Sequence, residues 1–208
     1  ATRKKAVEDI LRVIEQERER EIITRRFGLF DRRETLEQIG ELLGITRERV
    51  RQLEKAILIR LKIAADEGKI PAIHDVERLI IRDLSENGRV ARVQDLATRL
   101  VTTAPSAQTK AHVAFIGELS PKLIVINEND NYYLGVGIAE YGDEKKVRAS
   151  VDDIVKTIKK HGEPVGIEQL HDMLSYENPN QVRALASLSK LLASLKDVWG
   201  IVKWPTVN

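Results

Sequence analysis

Between residues 35 and 62 the apolar positions fall at helical spacing, in two series divided by a glycine. Leu36, Ile39, Leu42 and Leu43 make a stripe on a short helix. Gly44 and Ile45 interrupt the period, and Val50, Leu53, Ile57 and Leu61 resume it at three- and four-residue steps, on a helix with Thr46 as its N-cap. Two helices joined so tightly predict a helix-turn-helix. Gly40 lets the helices cross closely, Gly44 supplies a turn where a positive φ is cheap, and Val50 fills the space between them. Upstream, Val7, Ile10, Leu11 and Ile14, then Ile22, Ile23 and Phe27, predict helix that buries the back of this pair. The polar run Glu15–Glu21 supports helix through i,i+4 charge pairs, and Gly28 ends it as a C-cap.

Gly68 and Pro71 stop the second helix of the pair, and beyond them the pattern changes. Residues 80–100 align without gaps with residues 154–174. Apolar meets apolar at Ile80, Ile81, Leu84, Val93, Leu96 and Leu100, and Gly88 meets Gly162, which signals an internal duplication. Each copy reads as helix, glycine turn, short helix, longer helix and strands. In the first copy, Leu123–Ile126 and Tyr132–Val136 predict a hairpin across the turn-forming Asn127–Asn131. In the second, a helix from about Asn180 to Leu195 leads into a strand at Val198–Trp204. Three helices capped by a small hairpin are a winged-helix plan. The expected fold is mainly α: a helix-turn-helix domain over 1–67, followed by two small winged-helix (α+β) domains in tandem over 68–140 and 141–208. The polar stretch Glu140–Ala149 is expected to be a flexible linker between the copies.

Composition narrows the chemistry. The 208 residues hold 34 Lys and Arg against 32 Asp and Glu, a net charge of +2, too small in itself to argue for nucleic acid. Cysteine is absent, which excludes disulfides, thiolate metal sites and cysteine nucleophiles. The four histidines, His74, His112, His161 and His171, lack metal-ligand spacing and are expected in surface or capping roles. Gly135-Val136-Gly137 lacks the third glycine of a phosphate-cradling loop, and no set of nucleophile, base and orienting acid can be assembled. The chain is therefore expected to bind rather than catalyse, with no cofactor and no metal. No apolar run approaches the length of a membrane span and no signal-peptide pattern opens the chain, so a cytoplasmic, nucleoid-associated location is expected.

Charge placement singles out the second helix of the pair. From Thr46 to Lys62 the cations Arg47, Arg49, Arg51, Lys55, Arg60 and Lys62 meet only two acids, Glu48 and Glu54. Arg binds guanine O6 and N7, Gln binds adenine, and Glu accepts from cytosine. Arg47, Glu48, Arg51 and Gln52 share one helical face at spacings i, i+1, i+4 and i+5, a face suited to base edges in a major groove. Residues 68–140 and 141–208 are each close to neutral. Phosphate neutralisation supplies much of DNA affinity, so these copies are expected to give protein contact or architectural support in preference to auxiliary DNA contact.

The run EREREIITRRFGL (Glu17–Leu29) followed by TLEQIGELLGITRERVRQLEKA (Thr35–Ala56) resembles region 4 of the primary type of bacterial RNA polymerase sigma factor, a likeness that extends over residues 5–62. The resemblance implies that the first helices pack on the flap of the polymerase β subunit and that the helix-turn-helix reads the promoter −35 element in double-stranded DNA. Matched position by position, it implies base reading by Arg47, Glu48, Arg51 and Gln52 and phosphate contacts by Thr46, Arg49 and Lys55. Two departures stand out. The Thr-Pro that caps the second helix in this family is replaced here by Glu15-Gln16, so the first two helices are expected to run together. No counterpart of the aromatic-rich region that melts promoters is found, and aromatics make up only 4% of the chain, so promoter opening by this polypeptide alone is not expected. The C-terminal opening His161–Leu170 and ending Trp199–Trp204 are similar to HARE-type helix-turn-helix domains, such as the folded part of the RNA polymerase delta subunit. The expected function is sequence-specific DNA binding in transcription initiation or its regulation. Two alternatives stand beside it: the C-terminal portion of a complete sigma factor, since the chain opens Ala-Thr-Arg without Met, and a polymerase-binding adaptor or inhibitor acting mainly through protein contacts.

Overall fold

The computed structural model describes residues 2–101 and 104–205. In chain order these form α1 (Thr2–Val13), α2 (Glu17–Phe27), α3 (Leu36–Leu43), α4 (Arg47–Asp66), α5 (Pro71–Glu86), β1 (Val90–Arg92), α6 (Val93–Val101), α7 (Ala107–Leu119), β2 (Leu123–Ile126), β3 (Gly135–Ile138), α8 (Glu144–His161), β4 (Val165–Gly166), α9 (Ile167–Asp172), α10 (Pro179–Ser187), β5 (Leu192–Leu195) and β6 (Val198–Ile201). The fold is mainly helical with two small antiparallel sheets, as expected. Its contacts cluster into two compact units, one of residues 1–79 and 97–121, the other of 80–96 and 122–208. This division cuts through the first duplicated copy: α7 falls in the unit of the helix-turn-helix, and β1 to β3 fall in the unit of the second copy.

In the first unit the apolar periodicity becomes one core. Ile10 of α1, Ile22 and Ile23 of α2, Ile39 of α3 and Val50 of α4 are fully buried, with Phe115 and Ile116 of α7. The α7 helix lies against α1, α2 and α4, and the Phe27 and Phe115 rings sit 4.9 Å apart between centroids. The expected fusion of the first two helices does not occur. Gln16 takes an extended conformation (φ −83°, ψ 128°), and Arg20 reaches back to donate to the carbonyls of Ile14 and Glu15. A basic side chain thus satisfies the end of α1, which holds the break without a proline. Gly28 closes α2 in the left-handed region (φ 64°), as the sequence predicts.

His112 departs from the surface role expected of it. It is 2% exposed, and its Nε2 lies 2.7 Å from the carbonyl oxygen of Leu29. A carbonyl only accepts, so Nε2 carries the proton and Nδ1 accepts from the Arg3 guanidinium at 2.8 Å. The neutral ring therefore ties α7 to the loop after α2 and to the start of α1. Glu77, also 2% exposed, accepts from Ser120 Oγ and faces His74 at 3.2 Å.

In the second unit the duplication is visible as topology. The sheets have the orders β1-β3-β2 and β4-β6-β5, all antiparallel, so each central strand is the last in its copy. The outer strands β1 and β4, of three and two residues, are too short to show alternation, and sequence reasoning missed them. Two expected elements shift. The helix predicted to reach Leu195 ends at Ser187, because Leu192–Leu195 pairs with Val198–Ile201 across a two-residue turn. Lys196 and Asp197 both have positive φ in that turn, the type I′ geometry that matches strand twist. Strand β3 begins at Gly135, and Tyr132 instead bridges Ser189. The stretch expected as a linker is ordered into a 3₁₀ turn at Ala139–Tyr141 and the first turns of α8, capped by Asp143. The unit's interior joins both copies, with Val90 and Ile126 packed among Val151, Ile154, Ile158, Leu170, Val182 and Trp199.

The burial of His112 gives a pH dependence. Desolvation, outweighing the bond to Leu29, holds its pKa below the ordinary value of 6.5. The folded ring stays neutral while the unfolded chain takes up a proton, so its contribution is present above about pH 6.5 and is lost as pH falls below that value. Urea unfolding measured in steps from pH 7.5 to 5 should show a declining midpoint. In His112→Gln, where the amide still donates to Leu29, that decline should be shallower by close to one proton's worth of slope.

Candidate nucleic-acid interface

The angle between α3 and α4 is set by two glycines with different reasons. A Cβ on Gly40 would stand 2.6 Å from the carbonyl oxygen of Ile45 and 3.4 Å from the amide nitrogen of Arg47, a backbone contact that no rotamer change relieves. Gly44 has open space around it but sits at φ 70°, where its N–H donates to the Gly40 carbonyl and ends α3. Val50 and Ile39, both fully buried, fill the angle between the helices. At the start of α4, Thr46 Oγ1 accepts from the Arg49 amide at 3.1 Å. At the start of α3, Thr35 and Gln38 form a reciprocal capping box. Sequence reasoning passed over that box, although the Thr-x-x-Gln spacing announces it.

All seven residues singled out in the sequence, Thr46, Arg47, Glu48, Arg49, Arg51, Gln52 and Lys55, are exposed. At about 100° per residue, Arg47, Arg51, Lys55, Glu48 and Gln52 fall within an arc of about 140°. The buried side chains Val50, Ile57, Leu61 and Ala64 lie across the helix from that arc. Arg49 stands to one side of the arc. The first turn of α4 also points free amide N–H groups outward, a natural seat for a phosphate.

The electrostatics refine the picture. Arg51 donates from Nε to both Glu48 oxygens, at 2.9 and 3.1 Å, and from Nη2 at 2.6 Å. Those bonds hold the Glu48 carboxyl below the ordinary carboxylate range, and the same bonds raise the Arg51 guanidinium. The two residues are thus one hydrogen-bonded unit. Further along α4, Arg60 is paired with Glu19 at 2.7 Å and Lys62 with Glu118 at 2.9 Å, while Glu54 faces Arg26 at 3.4 Å. The unmatched positive charge is therefore concentrated on the first half of the helix, at Arg47, Arg49 and Lys55. Among the described residues, no group of three or more His, Cys, Asp or Glu could hold a metal ion, and no helix is long and apolar enough to cross a membrane.

Residues 16–62, from the N-cap of α2 into α4, match the family model described as Sigma-70, region 4. Among the 28 curated proteins that match the chain is the RNA polymerase sigma factor SigA of Bacillus sp, 45% identical over 60 residues. The matched stretch is 28% of this chain and 16% of that relative, so the likeness spans about a sixth of the curated protein's length. No solved structure matches the chain.

The two glycines should fail differently. Gly40→Ala is expected to cost about 1–3 kcal/mol, since the added methyl pushes on backbone. Gly44→Ala should cost about 1 kcal/mol, the penalty for a side chain in the left-handed region. Chemical denaturation of the two variants checks the order.

Proposed function

We propose that this chain recognises double-stranded DNA through α4 and acts in transcription initiation or its regulation, reading a −35-like promoter element. The observation that carries the proposal is the exposed polar arc of Arg47, Glu48, Arg51, Gln52 and Lys55, with cations in excess, set across α4 from the buried stripe in the stretch that matches the region 4 model. In this reading Thr46, Arg49 and Lys55 contact phosphates and fix the register. Arg47, Gln52 and the Glu48–Arg51 pair meet base edges in the major groove. The activity is binding; no step of covalent chemistry is involved.

Contact with the RNA polymerase core at its β flap is the second part of the proposal. It is supported by the region 4 likeness, which takes in the whole of α2. The two C-terminal copies we read as winged-helix modules of HARE type whose role is architectural. In each, the third helix is committed to protein packing. Most of α7 is turned into the core with α1, α2 and α4, and α10 lies among α8, α9, β1 and β5. A helix so covered does not enter a groove.

Fluorescence anisotropy with a −35-like duplex and a scrambled duplex, over a series of salt concentrations, tests the reading. Arg51→Ala should weaken the matched duplex by about tenfold to a hundredfold, a loss of about 1–3 kcal/mol, and leave the scrambled one nearly unchanged. Lys55→Ala should weaken both alike and lower the salt slope by about one. Equal binding of both duplexes by the unmodified chain, with Arg51→Ala silent, would replace the DNA reader by a protein-binding adaptor.

A further inference from the structure

Where the two duplicated copies meet within the second unit, they leave an open cleft of about 380 Å³. The first copy lends it Gly88, Arg89 and Val90, the second Lys146, Val147 and Gln181, and the 3₁₀ turn between them Glu140 and Tyr141. Small-molecule sites usually span about 300–1,000 Å³, so the volume suits a compact ligand and not a stretch of polymer. The lining is mixed. Val90, Ile138, Val147 and Leu185, all buried, make an apolar wall, and polar groups stand around it.

Part of the cleft is already committed. Arg89 takes φ 75°, a left-handed conformation that is unfavourable for a side-chain-bearing residue and that clusters at functional sites. Its backbone is pinned there, because its N–H donates to the Leu84 carbonyl at 2.6 Å and its carbonyl accepts from Ile138 at 3.1 Å. The guanidinium then lies 3.9 Å from the centre of the Tyr141 ring and donates to Glu177 at 2.9 Å. Arg89 and Glu177 therefore neutralise one another. Other polar groups are left over. Gln181 is 7% exposed and its Oε1 accepts from the Glu177 amide at 3.0 Å, which leaves Nε2 as a donor with no partner among the described residues. A buried donor without a partner is costly and calls for an acceptor. Lys146 and Glu140, both exposed, likewise have no ion pair or hydrogen bond from their side chains among the described residues.

We propose that this cleft binds a free amino acid with an apolar side chain. The uncommitted Lys146, Glu140 and Gln181 offer an ammonium, a carboxylate and a neutral donor, the complement of a zwitterion. The ligand's carboxylate accepts from Gln181 Nε2 and pairs with Lys146, its ammonium pairs with Glu140, and its side chain lies on the wall of Val90, Ile138, Val147 and Leu185. A nucleotide fits less well. Its phosphate would bring further negative charge to a lining in which Arg89 and Lys146 are already balanced by Glu140 and Glu177. Because the walls come from both copies, a bound amino acid stabilises the second unit as a whole. The site shares no residue with the exposed face of α4, and it does not rest on the DNA reading.

The full chain is titrated with L-phenylalanine, L-leucine, 3-phenylpropionate, which lacks the ammonium, and adenosine monophosphate, and followed by amide chemical shifts. Saturable binding of both amino acids is expected, with shifts at Arg89, Tyr141 and Gln181. The binding of 3-phenylpropionate should be weaker than that of phenylalanine by about tenfold or more, the effect of losing one charge-assisted hydrogen bond. Lys146→Met should weaken phenylalanine and 3-phenylpropionate alike, whereas Glu140→Gln should weaken phenylalanine and leave 3-phenylpropionate unchanged. Both residues are exposed, so the thermal midpoints of the unliganded variants should match that of the parent, which separates a lost site from a lost fold. Absence of saturable amino-acid binding, tighter binding of adenosine monophosphate, or affinities that neither substitution alters would overturn the proposal.

Discussion

The near-collision between Gly40 and the carbonyl of Ile45 is the constraint from which the recognition surface follows. Because α3 carries no side chain at that point, the chain leaves it and re-enters α4 almost at once, with the Ile45 carbonyl lying against α3. Val50 and Ile39 can then fill the remaining angle completely. With the buried stripe fixed, helical geometry leaves no freedom over which residues point outward, and those residues are Arg47, Glu48, Arg51 and Gln52. The chemistry of the exposed face is a consequence of packing on the other side of one helix.

Within that surface the charges are not independent donors. Glu48 and Arg51 meet one another with two-pronged geometry, so any ligand at this face has to compete with, or share, an existing set of hydrogen bonds. Exposed pairs of this kind contribute little to stability. Their effect is on orientation: the guanidinium plane is held by the carboxylate, which lowers the entropy lost on forming any planar contact.

The helix-turn-helix was legible in the sequence because every signal agreed: the apolar period, Gly44 at the turn, Thr46 as cap, and the density of cations on one face. The break between α1 and α2 was not legible, since it depends on Arg20 reaching back to carbonyls rather than on a breaker residue. The buried state of His112 was hidden for a similar reason. Its two partners, Leu29 and Arg3, are distant in sequence, and only the docking of α7 brings them together. The repeat was visible from Ile80 to Leu174, as was the hairpin of its first copy, but the second hairpin was misjudged where pairing overrode local preference: Leu192–Leu195 has helical composition and becomes strand because Val198–Ile201 lies opposite. The near-neutral charge of the C-terminal copies was legible, whereas the burial of α7 and α10 was not, because it depends on contacts between segments distant in sequence.

The crossing of the chain between units has a bearing on how such a protein can change over time. Residues 97–121 contribute Phe115 and Ile116 to the interior that holds the helix-turn-helix, while the strands on either side of that segment belong to the other interior. Neither interior is a continuous piece of sequence. The helix-turn-helix portion is therefore not a cassette that recombination could lift out at one cut and splice elsewhere; exchange of either part would have to carry the other with it.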